Sequence, residues 1–154
     1  MEITRETDYA IRCVLYLSKK NGAVVMVEEI SKEMSIPKSF LSKILQKLAK
    51  KDLVKSFRGV RGGFQLALHP SRISLLEVIE AIQGHLFINR CAAEENICTR
   101  SGYCTVHPLW NEVGECLENK LREYDFERLS GDNGIIENGC KVFFTGKQDI
   151  LCPE

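Results

Sequence analysis

Residues 27–50, VEEISKEMSIPKSFLSKILQKLAK, decide the fold. Val27, Ile30, Ser31 and Met34 recur at helical spacing, so a short helix is expected, ending before Ser35-Ile36-Pro37. Pro37 suits the first turn of a following helix that runs to about Lys50. That helix gathers Leu41, Ile44, Leu45 and Leu48 on one face and leaves Ser39, Ser42, Lys43, Gln46, Lys47 and Lys50 off it. Two short helices joined by a tight turn, the second with a basic exposed face, form the helix-turn-helix pattern, in which the second helix enters a DNA groove.

The flanks extend the pattern. Downstream, Leu53–Phe57 and Phe64–Leu68 read as short strands around the glycine-rich tip Arg58-Gly59-Val60-Arg61-Gly62-Gly63, which is the hairpin of a winged helix. Upstream, Tyr9, Cys13, Val14 and Leu17 predict a helix over about Arg5–Lys20, with Asp8 and Arg12 one turn apart on its other side. Ser74 and Glu77 stand at capping-box spacing and open a fourth helix to about Gln83. Pro108 opens a long helix to about Leu129, whose stripe of Trp110, Val113, Leu117, Leu121 and Tyr124 asks for a partner. The fold class expected is mainly α with a small β-hairpin wing. Its parts are a winged-helix DNA-binding domain over 1–84, a cysteine-rich loop over 85–107, a dimerisation helix over 108–130 and an unassigned tail over 131–154.

Composition narrows the function. The 154 residues carry no net charge, but residues 1–72 hold 14 Lys/Arg against 7 Asp/Glu and the remainder holds the reverse. Between Lys38 and Arg61 eight basic residues face one acid, Asp52. A basic surface on a recognition helix and an arginine-tipped wing points to double-stranded DNA as partner. Lys43, Lys47 and Lys50 suit phosphates, Ser39, Ser42 and Gln46 suit base edges, and Arg58 and Arg61 suit the minor groove. No apolar run approaches the roughly 20 residues of a membrane span, and no secretory leader is expected at the N-terminus, so a cytoplasmic location is expected.

Seven cysteines in a chain with those features read first as metal ligands. Cys91, Cys98, Cys104 and His107 bring three thiolates and an imidazole into one short segment with little apolar content of its own. Two chemistries fit. Three cysteines and a histidine close a tetrahedral zinc site, but zinc ligands usually come in tight pairs; evenly spread thiolates suit an iron-sulfur cluster. Free thiols or a reversible disulfide are a third reading. An enzyme using a nucleophilic cysteine with His107 lacks any evident third group to orient it.

Three motifs together resemble one family. Thr7-Asp8-Tyr9-Ala10-Ile11-Arg12 in the first helix, Arg58-Gly59 with Gly62-Gly63-Phe64 in the wing, and the three cysteines ahead of Trp110 are similar to the Rrf family of IscR/NsrR-type regulators, over about residues 1–130. The resemblance implies a homodimeric winged-helix repressor or activator. It also implies that Cys91, Cys98 and Cys104 hold an iron-sulfur cluster responding to nitric oxide, redox or iron-sulfur status. For the fourth ligand it offers His107, as in two-iron members, or Asp8 supplied by the partner subunit, as in four-iron members. The reading favours Asp8 and 4Fe-4S over 2Fe-2S, with zinc as the alternative metal. The first cysteine gap is one residue longer than the family pattern.

Of the remaining candidates, Cys13 and Cys116 are expected to be small buried hydrophobes, His69 and His85 structural, and Trp110 core; Cys140 and Cys152 have no family counterpart.

Overall fold

The computed structural model describes residues 2–59, 62–89, 91 and 98–131. Among these residues, six α-helices and one hairpin follow in order: α1 (Arg5–Ser18), α2 (Val27–Glu33), α3 (Lys38–Lys50), β1 (Val54–Phe57), β2 (Gly63–Leu66), α4 (Leu75–Gln83), α5 (His107–Arg122) and α6 (Phe126–Gly131). Short 3-10 turns lie at Pro70–Arg72 and Ser101–Tyr103.

The apolar stripes that predict the helices are the faces they bury. In α3, Leu41, Ile44, Leu45 and Leu48 are fully enclosed and meet Ala10, Cys13, Val14 and Leu17 of α1. Each such side chain removed from water contributes roughly 1.5–3 kcal/mol before entropy is counted, so this contact is the main support of the domain. Burial pushes the Cys13 thiol up to about 12, because a thiolate there would lose its hydration. Pro37 stands at the N-cap of α3, one position ahead of the first turn expected for it. At α1, the Thr4 hydroxyl accepts the Thr7 N–H at 3.2 Å. At α4 the expected capping box is complete, with Ser74 accepting from the Glu77 N–H and Glu77 accepting from the Ser74 N–H.

The hairpin is antiparallel, pairing Val54 with Leu66 and Phe57 with Gly63. Its second strand starts one residue before the expected Phe64, since Gly63 pairs with Phe57; Phe64 and Val25 also exchange backbone hydrogen bonds, each 2.8 Å, adding a third segment beside β2. Gly63 makes that approach feasible, since a Cβ there would run into the Val25 carbonyl.

The helix expected from Pro108 to Leu129 is two helices. It stops at Arg122, and the chain then forms an antiparallel bridge with the entrance to α4: the Leu75 N–H donates to the Tyr124 carbonyl and the Phe126 N–H to the Ile73 carbonyl. Phe126 is fully enclosed in the main core and α6 packs against α1. Residues 126–131 therefore complete the winged-helix core. Among the described residues, α5 touches the rest of the fold chiefly at α4, where Leu121 packs on Leu76, Ile79 and Leu86. No helix of the described residues is long and apolar enough to cross a membrane.

Candidate functional site

Two groups of candidate residues occupy different parts of the fold. The first is the outer face of α3 with the wing. Ser39, Ser42, Lys43, Gln46 and Lys50 are exposed, as the helical pattern requires of residues off the buried stripe. Among the described residues nothing pairs with the side chains of Ser39, Lys43, Gln46 or Lys50, so they stand available to a ligand. Two others are engaged within the chain. The Ser42 hydroxyl donates to the Lys38 carbonyl at 3.0 Å, and the Lys47 ammonium lies 2.8 Å from the Glu6 carboxylate on α1. Half-buried Lys47 ties α3 to α1, which spacing within α3 alone does not reveal.

Arg58 is exposed at the start of the hairpin tip; Arg61 lies outside the described residues. Phe40, which the sequence reading passed over, is half exposed on α3 and meets Tyr9 edge to face at 6.2 Å. Its signal is an aromatic residue standing beside the apolar stripe.

The second group leads into α5. Cys91, Cys98 and Cys104 are all half-buried. Residues 92–97, between the first two, lie outside the described residues. His107 begins α5, its N–H donates to the Cys104 carbonyl at 3.3 Å, and its Nδ1 is buried with no hydrogen-bond partner among the described residues. A buried polar atom in that state costs about 1–3 kcal/mol unless something satisfies it. Three soft thiols and an imidazole nitrogen are donor types that fit a thiophilic metal or an iron-sulfur cluster, although among the described residues their donor atoms are not gathered into one metal-sized group.

The other fourth-ligand candidate, Asp8, is half-buried on α1 and forms an ion pair with Arg12 at 2.7 Å. One residue earlier, Thr7 is fully buried and donates its hydroxyl to the Gln83 side chain at 2.7 Å, joining α1 to the end of α4.

Two minor expectations change. Cys116 is exposed on α5, because no other described element covers that face. Trp110 is only half-buried for the same reason. His85 is exposed but lies between the carboxylates of Glu80 and Glu118, a position that links α4 to α5. His69 does serve structure, its ring nitrogen accepting the Ser71 N–H at the 3-10 turn. Cys140 and Cys152 lie outside the described residues.

Comparison with known proteins identifies relatives of the whole arrangement. The profile of Rrf2, iron-dependent transcriptional regulators, matches residues 3–132. A putative HTH-type transcriptional regulator of Haemophilus influenzae is 33% identical over 93% of this chain and 95% of its own. HTH-type transcriptional regulators IscR of Xenorhabdus nematophila and NsrR of Bacillus licheniformis are each 30% identical, over 89% and 84% of this chain and 84% and 92% of theirs. Among solved structures, CymR, the global cysteine regulator of B. subtilis, superposes with a TM-score of 0.68 at 22% identity, over 84% of this chain and 96% of that one. At that identity the likeness concerns the fold.

Proposed function

The chain belongs to the Rrf2 family of DNA-binding transcriptional regulators, and on that premise we propose that it is a homodimer whose affinity for its operator is set by an iron-sulfur cluster. In this reading residues 1–84 bind DNA, 85–107 hold the cluster and α5 joins the subunits. The observation that carries it is the buried Nδ1 of His107, which lacks a hydrogen-bond partner among the described residues, in a segment that also carries three half-buried thiols.

Cys91, Cys98 and Cys104 are the thiolate ligands. The sequence alone leans to Asp8 as the fourth, but Asp8 already has Arg12 at 2.7 Å, whereas the His107 Nδ1 has no hydrogen-bond partner among the described residues to surrender. His107 is therefore the fourth ligand in this reading, and Asp8 of the partner subunit the second reading, supported by its partial exposure. When bound, the cluster supplies iron that oxidants or nitric oxide can attack.

The chain's own residues carry the consequence to DNA. His107 is the first residue of α5, so its position sets where α5 begins. Leu121 couples α5 to α4, Gln83 at the end of α4 holds Thr7 of α1, and Glu6 of α1 holds Lys47 of α3. Two recognition helices in a dimer must match the spacing of two operator half-sites, so a small shift passed along this route alters affinity. Ser39, Lys43, Gln46, Lys50, Arg58 and Arg61 make the DNA contacts, with Ser42 and Lys47 joining if their internal bonds are exchanged.

Anaerobic purification with iron and sulfide counts tests the site. A cluster that survives Asp8→Ala and is lost in His107→Ala supports the assignment; the reverse result transfers the role to Asp8. A colourless protein holding zinc but no iron or sulfide points instead to a zinc-stabilised or thiol-sensing regulator. Gel shifts at fixed salt complete the test, and equal operator affinity with and without the cluster would sink the sensing role.

A further inference from the structure

We propose that Glu80, His85 and Glu118 form a binding site for a divalent transition-metal cation, using none of the three thiols, that pins the end of α4 to the body of α5. Among the described residues this group of three has its ligand atoms all within 4.8 Å of one another. The His85 Nδ1 lies 3.1 Å from a Glu80 carboxylate oxygen and 3.8 Å from one of Glu118. Metal bonds of about 2.0–2.2 Å to nitrogen and oxygen place neighbouring donors roughly 3–4.4 Å apart, so a cation fits with small side-chain adjustments.

Each donor is held by a different part of the fold. Glu80 is in the last turn of α4, which ends where the Gly84 N–H donates to the Glu80 carbonyl at 3.0 Å. Gly84 has φ +80, a conformation that turns the chain back across the helix end and that favours glycine. Leu86 then inserts against Leu76, Ile79 and Leu121, which anchors the chain one residue beyond His85. Glu118 comes from α5, one helical turn before Leu121.

The chemistry of the set is specific. Two carboxylates and a neutral imidazole balance a 2+ charge, and oxygen and nitrogen donors without sulfur suit manganese, ferrous iron or zinc. Beside the triad lies a cavity of about 370 Å³, bordered by His85, Phe87, Trp110, Glu115 and Glu118, with room for the water that three protein ligands leave a metal to hold. The ordinary rival is a protonated His85 bridging two glutamates, which needs no metal.

Manganese is the probe that separates this site from the thiols, since it prefers oxygen and nitrogen ligands. The full chain, stripped with chelator, is titrated with Mn2+ while the free ion is followed by electron paramagnetic resonance. A single Mn2+ per chain is expected, with affinity unchanged in the Cys91→Ser, Cys98→Ser, Cys104→Ser triple variant. His85→Ala and Glu118→Gln are each expected to weaken binding by roughly tenfold or more, while keeping the helical signal of the parent in chelator. Mn2+ is also expected to raise the melting temperature of the parent and not of Glu118→Gln. Affinity that is unchanged in either variant, or no binding by the parent at millimolar Mn2+, would overturn the proposal.

Discussion

Helices α3 and α5 carry the same kind of apolar stripe at similar length, 13 and 16 residues, yet their fates differ. In α3 four leucine and isoleucine side chains are enclosed by α1, α4 and the hairpin. In α5 no residue is buried, and Leu109 and Val113 remain exposed. Periodicity thus announces that a helix has a face to cover, and nothing more. Whether the cover comes from the same chain depends on what else folds against it. For α3 the cover is internal. For α5 the exposed stripe supports a second copy as the cover in the proposed dimer.

Substitutions on the two helices test that contrast. Leu45→Ala opens a cavity in a closed core and is expected to destabilise the chain by about 2–5 kcal/mol in urea unfolding. A loss under about 1 kcal/mol would mean the α3 stripe is not covered as described. Next in size, Ser74→Ala removes the cap of α4 and is expected to cost about 1 kcal/mol, with Ser74→Gly recovering most of it.

Val113→Asp on α5 is expected to change the stability of the monomer by less than about 0.5 kcal/mol, because the site is open to solvent there. Its effect should appear in association: sedimentation is expected to show monomer where the parent is a dimer. A variant that remains dimeric would place the subunit contact elsewhere.

The smallest effect concerns the rim of the winged helix. Glu29 is held below the usual carboxylate range by hydrogen bonds from Lys20 and Tyr16, at 2.9 and 2.8 Å. A carboxyl lowered in the folded state contributes stability above its unfolded pKa of about 4.3 and loses it as pH falls through the folded value. Acid unfolding of Glu29→Gln is therefore expected to be slightly shallower below about pH 4 than that of the parent, a shift kept small by exposure. Identical acid limbs would remove Glu29 from the pH dependence.

Local signals read well where the partner is close in sequence. The α3 stripe, the Ser74–Glu77 box and the glycine-rich hairpin all depend on residues within a few positions of one another, so they are legible in the chain itself. The exposed Ser39, Lys43, Gln46 and Lys50 follow from the same periodicity. The break in the last long helix does not. The periodic stripe runs past Arg122 without pause, and what ends the helix is pairing of Tyr124 and Phe126 with Ile73 and Leu75, about fifty residues earlier in the chain. The engagement of Lys47 by Glu6 and the exposure of Cys116 escape for the same reason.

The sequence by itself determined the first four helices, the capped entrance to α4, the wing, the basic face and the set of thiols, because each rests on side chains at fixed short spacing. The tertiary structure alone decided which stripe is enclosed, that residues 126–131 close the core, that the imidazole of His107 lacks a partner while Asp8 has one, and that Glu80, His85 and Glu118 converge. Those outcomes depend on how separate elements pack against one another, and that packing leaves no period along the chain.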